Sequence, residues 1–181
     1  MGLSCTVLQK SAIITSKVNT LWKECFMDLD AIDRRILDEL QRDGAQSAAD
    51  VATKLGLSNT TSWRRIQQLE QDGVIKRRVA LLDRTALGLD VMVYVHVRLN
   101  SQGRDALAQF ERAIRDRPEV LDCCTLTGEW DFHLRIVTRD IKEYEAFFLD
   151  HLSKIPNVQS VNSSIVVTVI KESTALPLAR G

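Results

Sequence analysis

The sequence contains no run of about 18 apolar residues, so no transmembrane helix is expected. None of its four cysteines (Cys5, Cys25, Cys123, Cys124) forms the C-x-x-C spacing of a zinc or redox motif. Adjacent Cys123 and Cys124 point to opposite faces of a strand, and the four read as small buried thiols in a reducing cytoplasm. Neither sign of charge dominates: 24 basic residues balance 24 acidic ones, so the whole-chain sum does not point to a polyanionic partner. No nucleophile elbow, P-loop or dinucleotide fingerprint is present. The first 26 residues lack the order of a targeting signal, because Lys10, Lys17, Lys23 and Glu24 interrupt the apolar positions. Met27 directly precedes a well-patterned helix. It is the expected natural start, with residues 1–26 a disordered extension or a start-site artefact.

What is there is ordinary for a globular protein: 45% hydrophobic and 27% charged residues over 181 positions, enough for one domain or two small ones. Two periodicities divide the chain. From Asp28 to Gly73 the period is helical. Ile32, Ile36, Leu37 and Leu40 form one stripe, with Asp30 as N-cap and Gly44 as terminator. A short second helix runs from about Ser47 to Leu55, where Ser47 and Asp50 resemble a capping box. A third, capped by Ser58, runs to Asp72 before Gly73. Residues 74–82 read as a strand or hairpin arm and 83–90 as a hinge linker.

From Val91 the period becomes two. Val91, Val93, Val95, Val97 and Leu99 share one face of a strand, and the order thereafter is β-α-β-β-α-β, with the last strand expected over 158–170. The class is therefore α+β. An N-terminal winged helix-turn-helix (27–82) precedes a C-terminal ferredoxin-like domain (91–181). With both helices on one face of the sheet, the other face carries Met92, Tyr94, His96, His133, Val137, Val166 and Ile170. It is too apolar to be simply wet and is expected to pack on another subunit. His96 and His133 lie side by side on it. They lack a third ligand of suitable spacing and read as interface packing rather than a metal site. No cofactor is expected.

The specific signal lies in Val51-Ala52-x-x-Leu55-Gly56-Leu57-Ser58 followed by Ile66 and Leu69. Ala52 allows close helix approach, Gly56 permits a left-handed turn, and Leu57 plugs the corner. Ser62, Ile66 and Leu69 then face inward, which turns Thr60, Arg64, Gln67, Gln68 and Gln71 outward. A recognition helix enters the major groove by its N-terminal half, where Arg pairs with guanine and Gln with adenine. Ser58, Asn59, Thr60 and Thr61 add short donors beside a helix N-terminus suited to phosphate. Between Lys54 and Arg84 there are seven bases against three acids. Lys76, Arg77 and Arg78 belong to a wing that positions the backbone. Together with Arg65, these residues form the expected double-stranded DNA interface. Trp63 either packs at the bundle edge or lies against the sugar-phosphate backbone.

These motifs resemble those of the leucine-responsive regulator/AsnC (Lrp/AsnC) family. The resemblance is carried by Asp30-x-x-Asp33-x-x-Ile36-Leu37-x-x-Leu40-Gln41-x-Asp43-Gly44, by Leu55-Gly56-Leu57-Ser58, and by Trp63-Arg64-Arg65-Ile66-x-x-Leu69-Glu70-x-x-Gly73-Val74-Ile75. In the second half, Thr127-Gly128-Glu129-Trp130-Asp131-Phe132 looks like the family's Gly-x-Tyr/Phe-Asp-Tyr turn. Ser173-Thr174-Ala175-Leu176-Pro177-Leu178 resembles the ending of many members. The resemblance covers about Met27 to Leu178. It implies a cytoplasmic, sequence-specific transcriptional regulator that forms dimers, tetramers or octamers and responds to an amino acid or related metabolite. It further implies an effector cleft that includes Gly128, Glu129, Trp130 and Asp131, with Asp131 pairing an ammonium, and Ser163 where members often carry Thr. The alternative for that turn is a plain tight turn with Trp130 packed beneath the hinge. Two other functions stand beside regulation. One is a sirohaem-decarboxylase-like enzyme on the same architecture, which has no need of the Arg64 and Gln67 face. The other is a sensing module acting only through protein partners.

Overall fold

The computed structural model describes residues 29–101 and 103–178. The expectations for residues 1–26, including Cys5, Cys25 and the start at Met27, lie outside them. The chain divides into two compact units. Of the described residues, one holds those from Leu29 to Leu81 together with those from Lys171 to Leu178; the other lies within Leu82–Ile170.

In the first unit, α1 (Ala31–Arg42) begins where the Asp30 carboxylate accepts the Asp33 N–H at 2.8 Å. The α2 helix (Ala48–Leu55) starts in a reciprocal capping box. Asp50 N–H donates to Ser47 Oγ at 3.2 Å, and Ser47 N–H to the Asp50 carboxylate at 3.0 Å. It ends at Gly56, whose φ of 68° is the left-handed conformation the sharp corner needs. The Leu57 N–H then closes back onto the Ala52 carbonyl at 2.9 Å. The α3 helix (Asn59–Gln71) follows, with Ser62, Ile66 and Leu69 buried as its spacing predicts. Ile36, Leu37, Val51, Ile66 and Leu69 form the core, sealed by Leu29, Ile32, Leu40, Leu55, Leu57, Val74, Ile75 and, from the far end of the chain, Leu178. Beside it, Gln41 grips the Leu176 backbone at two points. Its Oε1 accepts the Leu176 N–H at 2.6 Å, and its Nε2 donates to the Leu176 carbonyl at 3.2 Å. The sequence partition had placed this tail with the sheet; its contacts put it with the helices.

The second unit runs β1 (Val91–Leu99), α4 (Arg104–Arg115), β2 (Val120–Thr125), β3 (Phe132–Thr138), α5 (Ile141–Asp150), a single 3-10 turn at Leu152–Lys154, and β4 (Val158–Ile165). The sheet order is β2-β3-β1-β4, antiparallel throughout. Val93, Val95, Val97 and Leu99 pack with Phe110 and Ile114 of α4, Tyr144 and Phe147 of α5, and Phe132, Leu134 and Ile136 of β3.

Three expectations are corrected. Residues 74–82 form no strand or hairpin arm, because no neighbouring strand among the described residues offers them a ladder. The last strand stops at Ile165 rather than 170. Ile165 pairs with Val93, and β1 begins only two residues earlier, so the ladder runs out of partner. Cys123 and Cys124 are exposed, since they sit on the edge strand β2 rather than in a central one. Residues 83–90 fold as a turn: Arg84 donates to the carbonyls of Leu89 and Asp90 at 2.9 and 2.8 Å. Met92 and Val137, cross-strand partners on the sheet face expected to be bare, are buried, while Tyr94 and Ile170 are exposed. No helix among the described residues is long and apolar enough to cross a membrane.

Candidate functional site

The first turn of α3 sorts its hydroxyls by task. Ser58 Oγ accepts the Thr61 N–H at 3.1 Å and shares a 2.8 Å hydrogen bond with the Thr61 hydroxyl, so both residues cap the helix. Asn59 and Thr60 are left exposed beside them. One turn further, neighbouring arginines diverge. Arg64 is exposed and makes no ion pair or side-chain hydrogen bond with the described residues. Arg65 is turned inward. Its Nη1 lies 2.6 Å from Asp30 and 2.8 Å from Asp33, and it ties the start of α1 to the middle of α3. That is a correction to the sequence reading, which placed Arg65 on the DNA face. The Asp33 N–H, and next to it the Arg65 guanidinium, hold the Asp30 carboxyl below its ordinary range. The two aspartates in turn raise Arg65.

Gln67 is half-buried and donates to Glu70 at 3.1 Å; exposed Gln68 donates to both oxygens of Asp72, at 2.9 and 2.8 Å. These are contacts between residues three and four apart at the end of one helix. In the expected wing, Arg78 is spent on the bundle, pairing with Glu70 at 3.0 Å and donating to the Gln46 carbonyl at 3.2 Å. Lys76 and Arg77 are exposed and make no ion pair with the described residues. Trp63 is 58% exposed, which decides against packing at the bundle edge. Gln46 escaped the sequence reading. It is buried, and its Nε2 staples the Glu39 and Asp43 carbonyls at 3.1 Å each. No periodic signal marks it, because it acts on carbonyls left open at a helix end.

The effector residues expected in the second unit do not assemble into one cleft within the chain. Gly128 has a φ of 128°, accessible in practice only to glycine. Asp131 is buried, and its Oδ2 accepts the Leu99 N–H at 2.8 Å, fastening the end of β1. Trp130 leans on His96, with ring centroids 5.9 Å apart, and Glu129 is exposed. Ser163, by contrast, pairs with Val95 on the helix-facing side, and its hydroxyl hydrogen-bonds the Tyr144 hydroxyl. His96 and Trp130 belong to the opposite side, so Ser163 and the turn's aromatic group never meet. On that opposite side His96 Nε2 lies 3.2 Å from His133 Nδ1, and Tyr94 stacks on His133 at 5.2 Å. Burial, and then the neighbouring His96, lower the His133 pKa. Among the described residues no three groups able to hold a metal ion come together.

Comparison with known proteins covers most of the chain. Residues 29–76 match a family model for winged helix-turn-helix DNA-binding domains, and residues 92–176 one for the Lrp/AsnC ligand binding domain. The Bkd operon transcriptional regulator of Pseudomonas aeruginosa is 39% identical over 151 residues, 83% of this chain and 99% of that protein. The crystal structure of an AsnC family transcriptional regulator from Agrobacterium tumefaciens superposes with a TM-score of 0.78 at 42% identity, covering 82% of this chain and 96% of that one. A transcriptional regulator from Neisseria meningitidis, solved as a complex with L-Met, does so at 0.79 and 34% identity, covering 82% and 96%.

Proposed function

The chain belongs to the Lrp/AsnC family of DNA-binding transcriptional regulators and is not an enzyme, and from that premise we propose how its residues divide the work. Asn59, Thr60, Arg64, Gln67, Gln68 and Gln71 read base edges in the major groove. Lys76 and Arg77 neutralise flanking phosphates, and the α3 N-terminus capped by Ser58 and Thr61 faces a phosphate. Arg65 and Arg78 hold the helices that present this surface. The observation that carries the reading is the exposed, unpaired Arg64 one turn from a capped N-terminus, on the face opposite Ser62, Ile66 and Leu69. A positive group kept out of every local ion pair is available to a partner that brings its own negative charge.

The regulator works as a homodimer or a larger assembly in the cytoplasm. Support comes from the exposed apolar arm Val79, Leu81 and Leu82, from exposed Leu121 on edge strand β2, and from the aromatic patch of Tyr94 and Trp130. These surfaces are costly to leave wet in a single chain. Two recognition helices then meet half-sites about one duplex turn apart. An amino acid or related metabolite sensed by the second unit shifts the balance between assembly geometries, by no more than its difference in affinity for them.

The test is a gel-shift titration on a duplex selected from a random library. Arg64→Ala is expected to weaken specific binding by about 1–3 kcal/mol, with unfolding unchanged. Unchanged affinity in that variant overturns the assignment of the reading face.

A further inference from the structure

The middle of the sheet carries a side-chain pair that neither the DNA reading nor the effector reading uses. His96 of β1 stands directly opposite His133 of β3, and these are the two central strands. Both rings are half-buried on the side away from the helices. They form the inner pair in a row of four rings. Tyr94 stacks on His133 at 5.2 Å, His133 lies 4.8 Å from His96, and Trp130 leans on His96 at 5.9 Å. Strand pairing fixes the two backbones and the outer rings brace the inner ones. Little side-chain freedom is then left to lose when a guest binds.

The spacing of the nitrogens selects the guest. His96 Nε2 and His133 Nδ1 are 3.2 Å apart. Two Zn–N bonds of about 2.0–2.1 Å at a tetrahedral angle set their nitrogens about 3.3–3.4 Å apart. A linear complex with the same bonds needs about 4 Å. The pair therefore closes on a tetrahedral ion with a shift of about 0.1–0.2 Å. Magnesium and calcium take oxygen ligands and find none in two imidazoles.

We propose that His96 and His133 form a two-nitrogen chelate for Zn²⁺. His96 Nε2 and His133 Nδ1 give their lone pairs to the ion, and each neutral ring keeps its proton on its other nitrogen, so no proton is gained or lost. No third group able to hold a metal joins them among the described residues, which leaves two positions of the tetrahedron. Water fills them in a single chain; the same pair of a second copy fills them where that copy covers this face. With two protein ligands the site is reversible, looser than the closed four-ligand sites of structural zinc. It gives the second unit a metal input that does not depend on the effector reading.

The experiment titrates the tag-free, reduced full chain with ZnCl₂ by calorimetry and with Co²⁺ in the visible spectrum. The sequence has only three histidines, so single substitutions isolate the pair. Cys124, an exposed thiol opposite His133 on β2, is the competing ligand to exclude. Zinc is expected to bind and to raise the melting temperature, Co²⁺ to give the intense absorption of a four-coordinate ion, and Mg²⁺ to give no heat. His96→Asn and His133→Asn should each weaken zinc binding at least about tenfold, the smaller effect found for groups that merely orient a ligand. His151→Asn and Cys124→Ser should leave it unchanged. Melts without metal check that each variant folds. The wild-type chain supplies a measurement free of that concern: zinc should protect His96 and His133, and not His151, from diethyl pyrocarbonate, mapped by mass spectrometry. Zinc affinity unchanged in both pair variants, affinity lost in Cys124→Ser alone, equal modification with and without zinc, or no zinc binding by the wild type each overturns the site.

Discussion

Arg64 and Arg65 are chemically identical and adjacent, yet 100° of helical rotation gives them different employment. The sequence shows that one side of α3 faces inward at Ser62, Ile66 and Leu69, and the structure agrees. It does not show that Arg65, at the border of that side, reaches two aspartates more than 30 residues away. Long side chains at a helix border are settled by tertiary neighbours, which periodicity does not encode. Arg65→Ala should therefore cost about 1 kcal/mol of stability, the upper end for partly exposed ion pairs, and leave base preference untouched. That is the reverse of the outcome expected for Arg64→Ala, and urea melts beside binding titrations separate the two. The pH dependence follows from Asp30. Its pKa is lowered on folding, so its contribution is present above the ordinary carboxylate range and is lost as pH falls through the folded value. The wild type should lose stability on acidification more steeply than Asp30→Asn, and equal slopes would remove Asp30 from the account. Asp131 carries the same lesson. Its position in a turn was legible from the motif, but its bond to the Leu99 N–H was not, since no local spacing links residues 99 and 131.

Elements were read more faithfully than individual side chains wherever a local device sets their limits. The Ser47–Asp50 box, the Ser58 cap and Gly56 each act within a few residues, and α1, α2 and α3 fall where those devices put them. The errors cluster where an element needs a neighbour. The 74–82 arm has the composition of a strand and no ladder to join among the described residues, while β4 ends when β1 runs out. Gly56 makes the local case quantitatively. A Cβ added there meets nothing within 4 Å, so any penalty is backbone strain at φ 68°. Gly56→Ala should destabilise the helical unit by about 1–2 kcal/mol, and Gly56→Asn by less, because Asn tolerates this conformation. Thermal melts of the two variants measure the difference, and an Ala variant as stable as wild type would show that the corner relaxes.

At the scale of the whole molecule, the helical unit is discontinuous in sequence. Leu178 seals its core and Leu176 is clasped by Gln41, while the intervening 82–170 form the other unit. The sequence identified both patterns and assigned the tail by order along the chain, because a single apolar residue in an irregular segment has no period to betray its partner. Ending the chain after Ile170 should cost the helical unit about 2 kcal/mol, the scale of one buried leucine. Amide exchange should then quicken in α1 while β1 and β3 keep their protection. Uniform loss of protection in both units would contradict independent closure.

Synthesis proceeds from the first residue to the last, so α1, α2 and α3 leave the ribosome early and still lack the piece that locks them. Leu176 and Leu178 arrive only after the strands and helices of the sheet have been made. A nascent chain cannot finish its DNA reader ahead of its sensor, and a message cut short yields a reader without its latch.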